Sequence, residues 1–165
     1  RIRKNKRLIG QTIQESVENG DISVLQIPQL KKAKLILDQE KDPYNHDDVR
    51  GKWYWGPPGT GKSRKAREDN PDAYIKSQNK WWDGYKGEKT VILDDLDTNV
   101  LGHYLKIWTD RYSCSGEVKG GTVNLVHEQF IITSNYHPDS LWAEDLQICN
   151  AIKRRFKITY FTDLK

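Results

Sequence analysis

Methionine is missing from all 165 residues and the first residue is Arg1, so the sequence has no initiator of its own and is expected to be a piece of a longer polypeptide. Cysteine is scarce. Cys114 and Cys149 lie far apart, with no CxxC and no histidine at zinc-ligand spacing, which gives neither a disulfide framework nor a zinc site. Two buried, reduced thiols are expected instead. His46, His103, His127 and His137 form no HxH or HExxH pair, so no metal is assigned to them. No apolar run approaches the roughly 20 residues needed to cross a bilayer, and the polar, basic start is unlike a secretory signal. Neither a membrane partner nor secretion finds support. With 36% hydrophobic and 30% charged residues, the composition is that of a folded domain with at most a small appendage.

A strong excess of one charge is missing too. The net charge of +4 rests on Arg1, Arg3, Lys4, Lys6 and Arg7; without those five, 22 basic residues face 23 acidic ones. Any nucleic-acid contact must therefore come from local features and not from global charge. The basic tip reads as a solvated linker end, with a nuclear address or a phosphate-binding arm as the other readings.

Two parts are expected, a helical segment at residues 1–45 and a main domain at 46–165. Ile13 and Val17, then Leu30, Ala33 and Leu37 after Pro28, recur at helical spacing over 11–40. A polar linker follows from Asp42 to Asp48. Beyond it, strands at 52–55, 73–76, 90–95, 130–135 and 157–161 alternate with helices, among them an amphipathic one at 99–112. That alternation predicts an α/β fold with a mostly parallel central sheet flanked by helices. A hairpin is expected at 117–123, turning at Gly120-Gly121.

The clearest chemistry lies at Gly56-Pro57-Pro58-Gly59-Thr60-Gly61-Lys62-Ser63, which satisfies GxxxxGK[ST] between a predicted strand and a predicted helix. Glycines let the backbone wrap phosphate with its N–H groups, and a helix N-terminus adds partial positive charge. Lys62 is the residue to reach the β- and γ-phosphates of ATP, and Ser63 the hydroxyl to ligate Mg²⁺. Asp94 and Asp95 close an apolar strand; Asp94 is assigned to the metal and Asp95 to the attacking water. Asn135 ends the next apolar strand, where an amide can orient water or touch the γ-phosphate. Arg154 and Arg155 are both candidates for an arginine finger, and the sequence does not choose between them. For nucleic acid, Lys119 with Gly120 and Gly121 offers a lysine at a hairpin tip to grip a phosphate. Trp81 and Trp82 offer rings for base stacking, with packing the favoured reading, while Trp53, Trp55 and Trp108 read as core.

In order and spacing these elements resemble the superfamily 3, AAA+-like helicase domain of the replication initiator (Rep) proteins of circular single-stranded DNA viruses: circoviruses, nanoviruses and their satellite-like relatives. The likeness runs from about Gly51 to Phe161 and includes WWDGYKGE (81–88), VILDD (91–95), DRYSCSGEVKGGTV (110–123) and IITSN (131–135). It implies a P-loop NTPase of the ASCE type that hydrolyses ATP and moves on single-stranded DNA through a ring, commonly a hexamer. In that likeness Lys119 faces DNA, the arginine finger acts in trans, residues 1–45 serve oligomerisation, and the site of action is the host nucleus. Full-length relatives also carry an endonuclease domain with an HxH pair. No such pair occurs here, so that activity is not assigned to this chain, and the endonuclease domain is expected as a partner in the same longer polypeptide. Two other readings stay open: an ATPase acting on RNA or packaging DNA, and a nucleotide-bound oligomeric DNA-binding scaffold without productive turnover.

Overall fold

Two units, Arg1–Asp42 and Pro43–Lys165, make up the computed structural model, which describes residues 1–39 and 45–162. Much of the expected linker, Pro43 included, lies outside the described residues.

In the first unit the basic tip is helical: α1 spans Ile2–Gly10, and Arg7 forms an ion pair with Asp21 at 2.8 Å. Next comes α2, Ile13–Glu18, opened by a capping box in which the Glu15 N–H donates to Thr12 Oγ1 and the Thr12 N–H donates to the Glu15 carboxylate. A 3₁₀ turn at Val24–Gln26 leads into α3, Ile27–Gln39. Among the described side chains of this unit, Ile22 is the one buried hydrophobic. Ile2, Ile9, Leu25, Ile36 and Leu37 are exposed, Leu25 to 90%.

The second unit is built on a five-stranded sheet, every pair of it parallel. In chain order its strands are β1 Gly51–Trp55, β2 Tyr74–Ile75, β3 Thr90–Leu93, β6 Gln129–Ser134 and β7 Phe156–Tyr160, arranged β2-β3-β6-β1-β7. All four residues of β3 are buried, the continuous apolar run that a parallel strand covered on both faces requires. Alternate side chains feed two cores. Trp53, Leu93, Phe130, Ile132 and Phe156 meet Leu105 of α5 (Gly102–Thr109) and Ile152 of α7 (Leu146–Arg155) on one face. On the other, Tyr54, Ile92 and Ile131 pack with Ala66 of α4, Lys62–Asp69.

Several boundaries differ from expectation. The helix predicted over 99–112 ends at Thr109. Asp110 turns extended (φ −69°, ψ 168°), and Arg50, itself buried, holds the backbone beyond that end, donating from Nε to the Asp110 carbonyl (2.7 Å) and from Nη2 to the Tyr112 carbonyl (3.4 Å). Strand β2 is only two residues long because Lys76 turns the chain inward. Its ammonium, on a residue just 3% exposed, donates to the carbonyls of Ser77, Asn79 and Trp81 and lies over the rings of Trp82 and Trp108. Burial pulls its pKa down to about 8. A short helix absent from the sequence reading, α6, spans Pro138–Leu141. Both cysteines are free, as expected; Cys149 is buried but Cys114 is only partly so.

The hairpin is a separate two-stranded sheet, β4 Cys114–Val118 with β5 Gly121–Leu125, and Val118 pairs with Gly121. Its turn is therefore Lys119-Gly120, one residue earlier than predicted. Gly116 fixes the hairpin in place: a Cβ there would lie 2.4 Å from the Trp82 ring, so only glycine lets strand and indole close.

Candidate nucleotide site and nucleic-acid face

Strands β1, β6 and β7 end together, Trp55 pairing with both Ser134 and Tyr160. The segments that leave β1 and β6, with the one that leaves β3, build the site. Residues 56–61 form the phosphate loop, with Gly59 and Gly61 at φ of +79° and +83°, a backbone region that residues with a Cβ resist. Gly61 caps α4 without any side-chain hydrogen bond, so the first N–H groups of that helix remain available to an anion. A cavity of about 490 Å³ opens over them, lined by residues 58–64 together with Asp95 and Asn135.

Lys62 is nearly buried. Its ammonium donates to the carbonyls of Gly56 (2.9 Å) and Pro57 (2.8 Å) and to Asn135 Oδ1 (3.2 Å). Burial lowers its pKa, and the charge of Asp95 opposes that shift. Asn135 thus meets the lysine directly, joining the end of β6 to the phosphate loop. The two acids part company. Asp95 lines the cavity and holds a left-handed backbone, φ +53°, that aspartate tolerates better than most residues. Asp94 sits to one side. Its Oδ2 accepts from Arg67 Nε (3.0 Å) and Nη2 (2.5 Å), and its Oδ1 accepts from the hydroxyl of Thr133 (3.1 Å).

A nucleoside triphosphate suits this set: an uncapped helix start, a buried ammonium, a hydroxyl and an acid share one cavity. Among the described residues no cluster of three or more His, Cys, Asp or Glu makes a cage for a metal. Ser63 and a carboxylate instead suit a cation that shares its coordination with phosphate oxygens and water, as Mg²⁺ does.

Arg154 and Arg155 do not join this site. Phe156, the residue after them, pairs with Gly51 at the opposite end of β1 from the phosphate loop. Arg155 is engaged, its Nε and Nη2 on Asp110 Oδ2 (3.1 and 2.9 Å) and its Nη1 on the Ala151 carbonyl (2.9 Å). Arg154 is exposed, and its side chain has no hydrogen-bond or ion-pair partner among the described residues.

On the hairpin, Lys119 stands exposed at the turn with Gly120 (φ +85°) beside it and Gly121 opening β5; its N–H donates to Asp83 Oδ1 (3.2 Å). Trp81 is 36% exposed, bridges to Glu117 of β4, and carries Lys80 Nζ 4.7 Å from its ring centroid. Trp82 is different: it takes the packing role favoured for it and not the stacking one. It is fully buried, flanked by Tyr74 (5.6 Å) and His127 (5.5 Å) in near-parallel stacks, so no base reaches its faces. His127 itself is neutral: burial takes its pKa down to about 3, and Nε2 meets the Trp108 carbonyl at 2.7 Å.

A family model described as RNA helicase matches residues 52–114, from β1 to the first residue of β4. That stretch holds the phosphate loop and both acids but stops before Lys119, Asn135 and Arg154. The replication-associated protein of Porcine circovirus 1 is 41% identical over 110 residues, which is 64% of this chain and 35% of the relative. In this part the chain is similar to helicases and to the replication-associated proteins of circoviruses. The corresponding protein of Pigeon circovirus is 33% identical over 126 residues, 76% of this chain and 39% of its own. That of Beak and feather disease virus is 42% identical over 91 residues, 55% of this chain and 32% of its own. The chain thus spans about a third of the length of the curated relatives it matches. Its all-parallel sheet with helices on both faces is the α/β architecture of a P-loop NTPase.

Two residues beside the candidate site are not singled out by the sequence alone. Arg67 left no local signal, since its link to Asp94 joins positions 27 residues apart. Thr133 did leave one, a hydroxyl directly after the apolar run 130–132 and fully buried in β6.

Proposed function

We propose that this chain is an ATP- and Mg²⁺-dependent motor that moves on single-stranded DNA, the helicase part of a replication initiator. The observation that carries the proposal is the meeting of Lys62, Ser63, Asp95 and Asn135 in one cavity over the uncapped start of α4. Bound Mg²⁺–ATP supplies a phosphoanhydride whose charge the metal partly neutralises. Lys62 and the α4 N–H groups hold the phosphates, Ser63 with Asp94 holds the cation side, and Asn135 orients water. The Asp95 carboxylate accepts that water's proton. Charge that develops during transfer is met by a guanidinium from another copy, since both candidate arginines lie at the far end of their own sheet. The exposed apolar residues of 1–39 favour assembly into a ring, and the Lys119 turn with Trp81 favours a single-stranded nucleic acid.

The deciding experiment is ATP hydrolysis with and without single-stranded DNA, for the parent chain and Lys62→Ala. DNA-stimulated turnover that falls on the order of 10²–10³-fold in the variant is expected. No turnover in an assembled sample favours the scaffold reading. Stimulation by RNA but not DNA favours an RNA motor, the substrate named in the description of the matching family. Lys119→Ala, in turn, is expected to keep basal ATPase and weaken single-stranded DNA binding. With one phosphate fewer neutralised, the salt slope of log K should fall by about 0.7. Unchanged DNA affinity in that variant sinks the hairpin assignment.

A further inference from the structure

Thr133 Oγ1 stands between Ser63, Asp94 and Asp95. It accepts from the Asp95 N–H (2.9 Å), donates to Asp94 Oδ1 (3.1 Å) and lies 3.4 Å from Ser63 Oγ. A hydroxyl has one proton and two lone pairs. The ionised carboxylate of Asp94 only accepts, so the Thr133 proton points to it, and the Asp95 N–H occupies one lone pair. Ser63 must then be the donor in the third contact. The chain of hydrogen bonds runs one way, from Ser63 to Thr133 to Asp94. Thr133 is fully buried, and Arg67 fixes the other oxygen of Asp94.

This direction matters for a cation. A serine that ligates a metal presents a lone pair, and its proton has to go elsewhere. We infer that Thr133 is a positioning residue for the divalent cation: it accepts the Ser63 hydroxyl hydrogen bond, turns the Ser63 lone pairs to the metal, and holds Asp94 and the Asp95 backbone in register with them. The inference rests on residues 56–63 binding a metal nucleotide, as proposed above. It predicts that the Thr133 hydroxyl governs the preference for metal-bound over metal-free nucleotide.

The test is binding of a non-hydrolysable ATP analogue in Mg²⁺ and in EDTA, to the parent chain, Thr133→Val and Thr133→Ser. Val keeps the shape and removes the hydroxyl. We expect it to lose about 10-fold or more of the Mg²⁺-dependent gain in affinity while metal-free binding is kept. Ser restores the gain. Thr133→Ala carries the same expectation as Val, and serves if Val proves unfolded by melting. Parent-like gain in Val and Ala overturns the inference, and so does a Ser variant as impaired as Val, which would assign the effect to the methyl group. A parent chain that binds the analogue with no gain from Mg²⁺ overturns the metal-nucleotide reading itself, a separate failure.

Discussion

Arg154→Ala is expected to slow ATP turnover of the assembled protein by about 10³-fold or more, the scale of an arginine supplied across an interface. The expectation comes from the contrast between two neighbours. Arg155 spends its guanidinium on Asp110 and the Ala151 carbonyl within its own chain, at 19% side-chain exposure. Arg154 is solvent-facing and unengaged among the described residues, as a residue must be if another copy is to receive it. Arg155→Ala should instead lower the melting temperature, by the loss of about 1–3 kcal/mol of charged hydrogen bonding, with turnover near normal below the transition. Mixing is the sharper measurement. Arg154→Ala and Lys62→Ala chains are each expected to be inactive, but a mixed assembly contains some sites with both residues intact. Recovery of turnover on mixing supports action in trans. Full turnover by Arg154→Ala alone, or its loss in Arg155→Ala alone, reverses the choice.

Trp82→Ala carries the largest expected loss of stability, about 3–5 kcal/mol for removal of a buried indole. The ring is packed between Tyr74 and His127, touches Gly116 of the hairpin, and its backbone N–H donates to the Glu117 carbonyl at 2.9 Å. Truncation therefore removes core and loosens the seat of the hairpin at once. Thermal melting reads the first effect, and proteolysis within 114–125 reads the second. Any fall in DNA binding should track unfolding. A Trp82→Ala variant with parent-like melting and a specific DNA defect would return this ring to the stacking role that its burial denies. Trp81→Ala, by contrast, should leave melting unchanged.

How far the sequence discloses all this depends on the range of the interaction. The phosphate loop is legible because its glycines, lysine and serine act within eight consecutive residues, and the buried strands because burial on both faces demands unbroken apolar runs. The two adjacent tryptophans are not separable in the same way. Which of Trp81 and Trp82 points inward depends on a hairpin about 35 residues on, whose Gly116 leaves room for one indole. The helix after Asn99 is shorter than its periodicity suggests because Tyr112 keeps the apolar period while Asp110 turns extended and Arg50, some 60 positions earlier, holds the backbone that follows. The basic start looks like a linker because charge alone does not reveal helix. Arg67 and Thr133 show the same limit within the site, since each works through a partner supplied by a different strand end.

The place of β1 in the sheet also bears on how the chain comes into being. Its strand neighbours among the described residues are β6 and β7, which begin at Gln129 and Phe156, so the strand leading into the phosphate loop stays unpaired until the chain has been made past Gln129. Closing loops of that length is entropically slow. During synthesis the loop sequence thus emerges before both strands that frame it. Nascent or truncated chains would carry the motif without a working cradle, and nucleotide capture would coincide with completion of the fold.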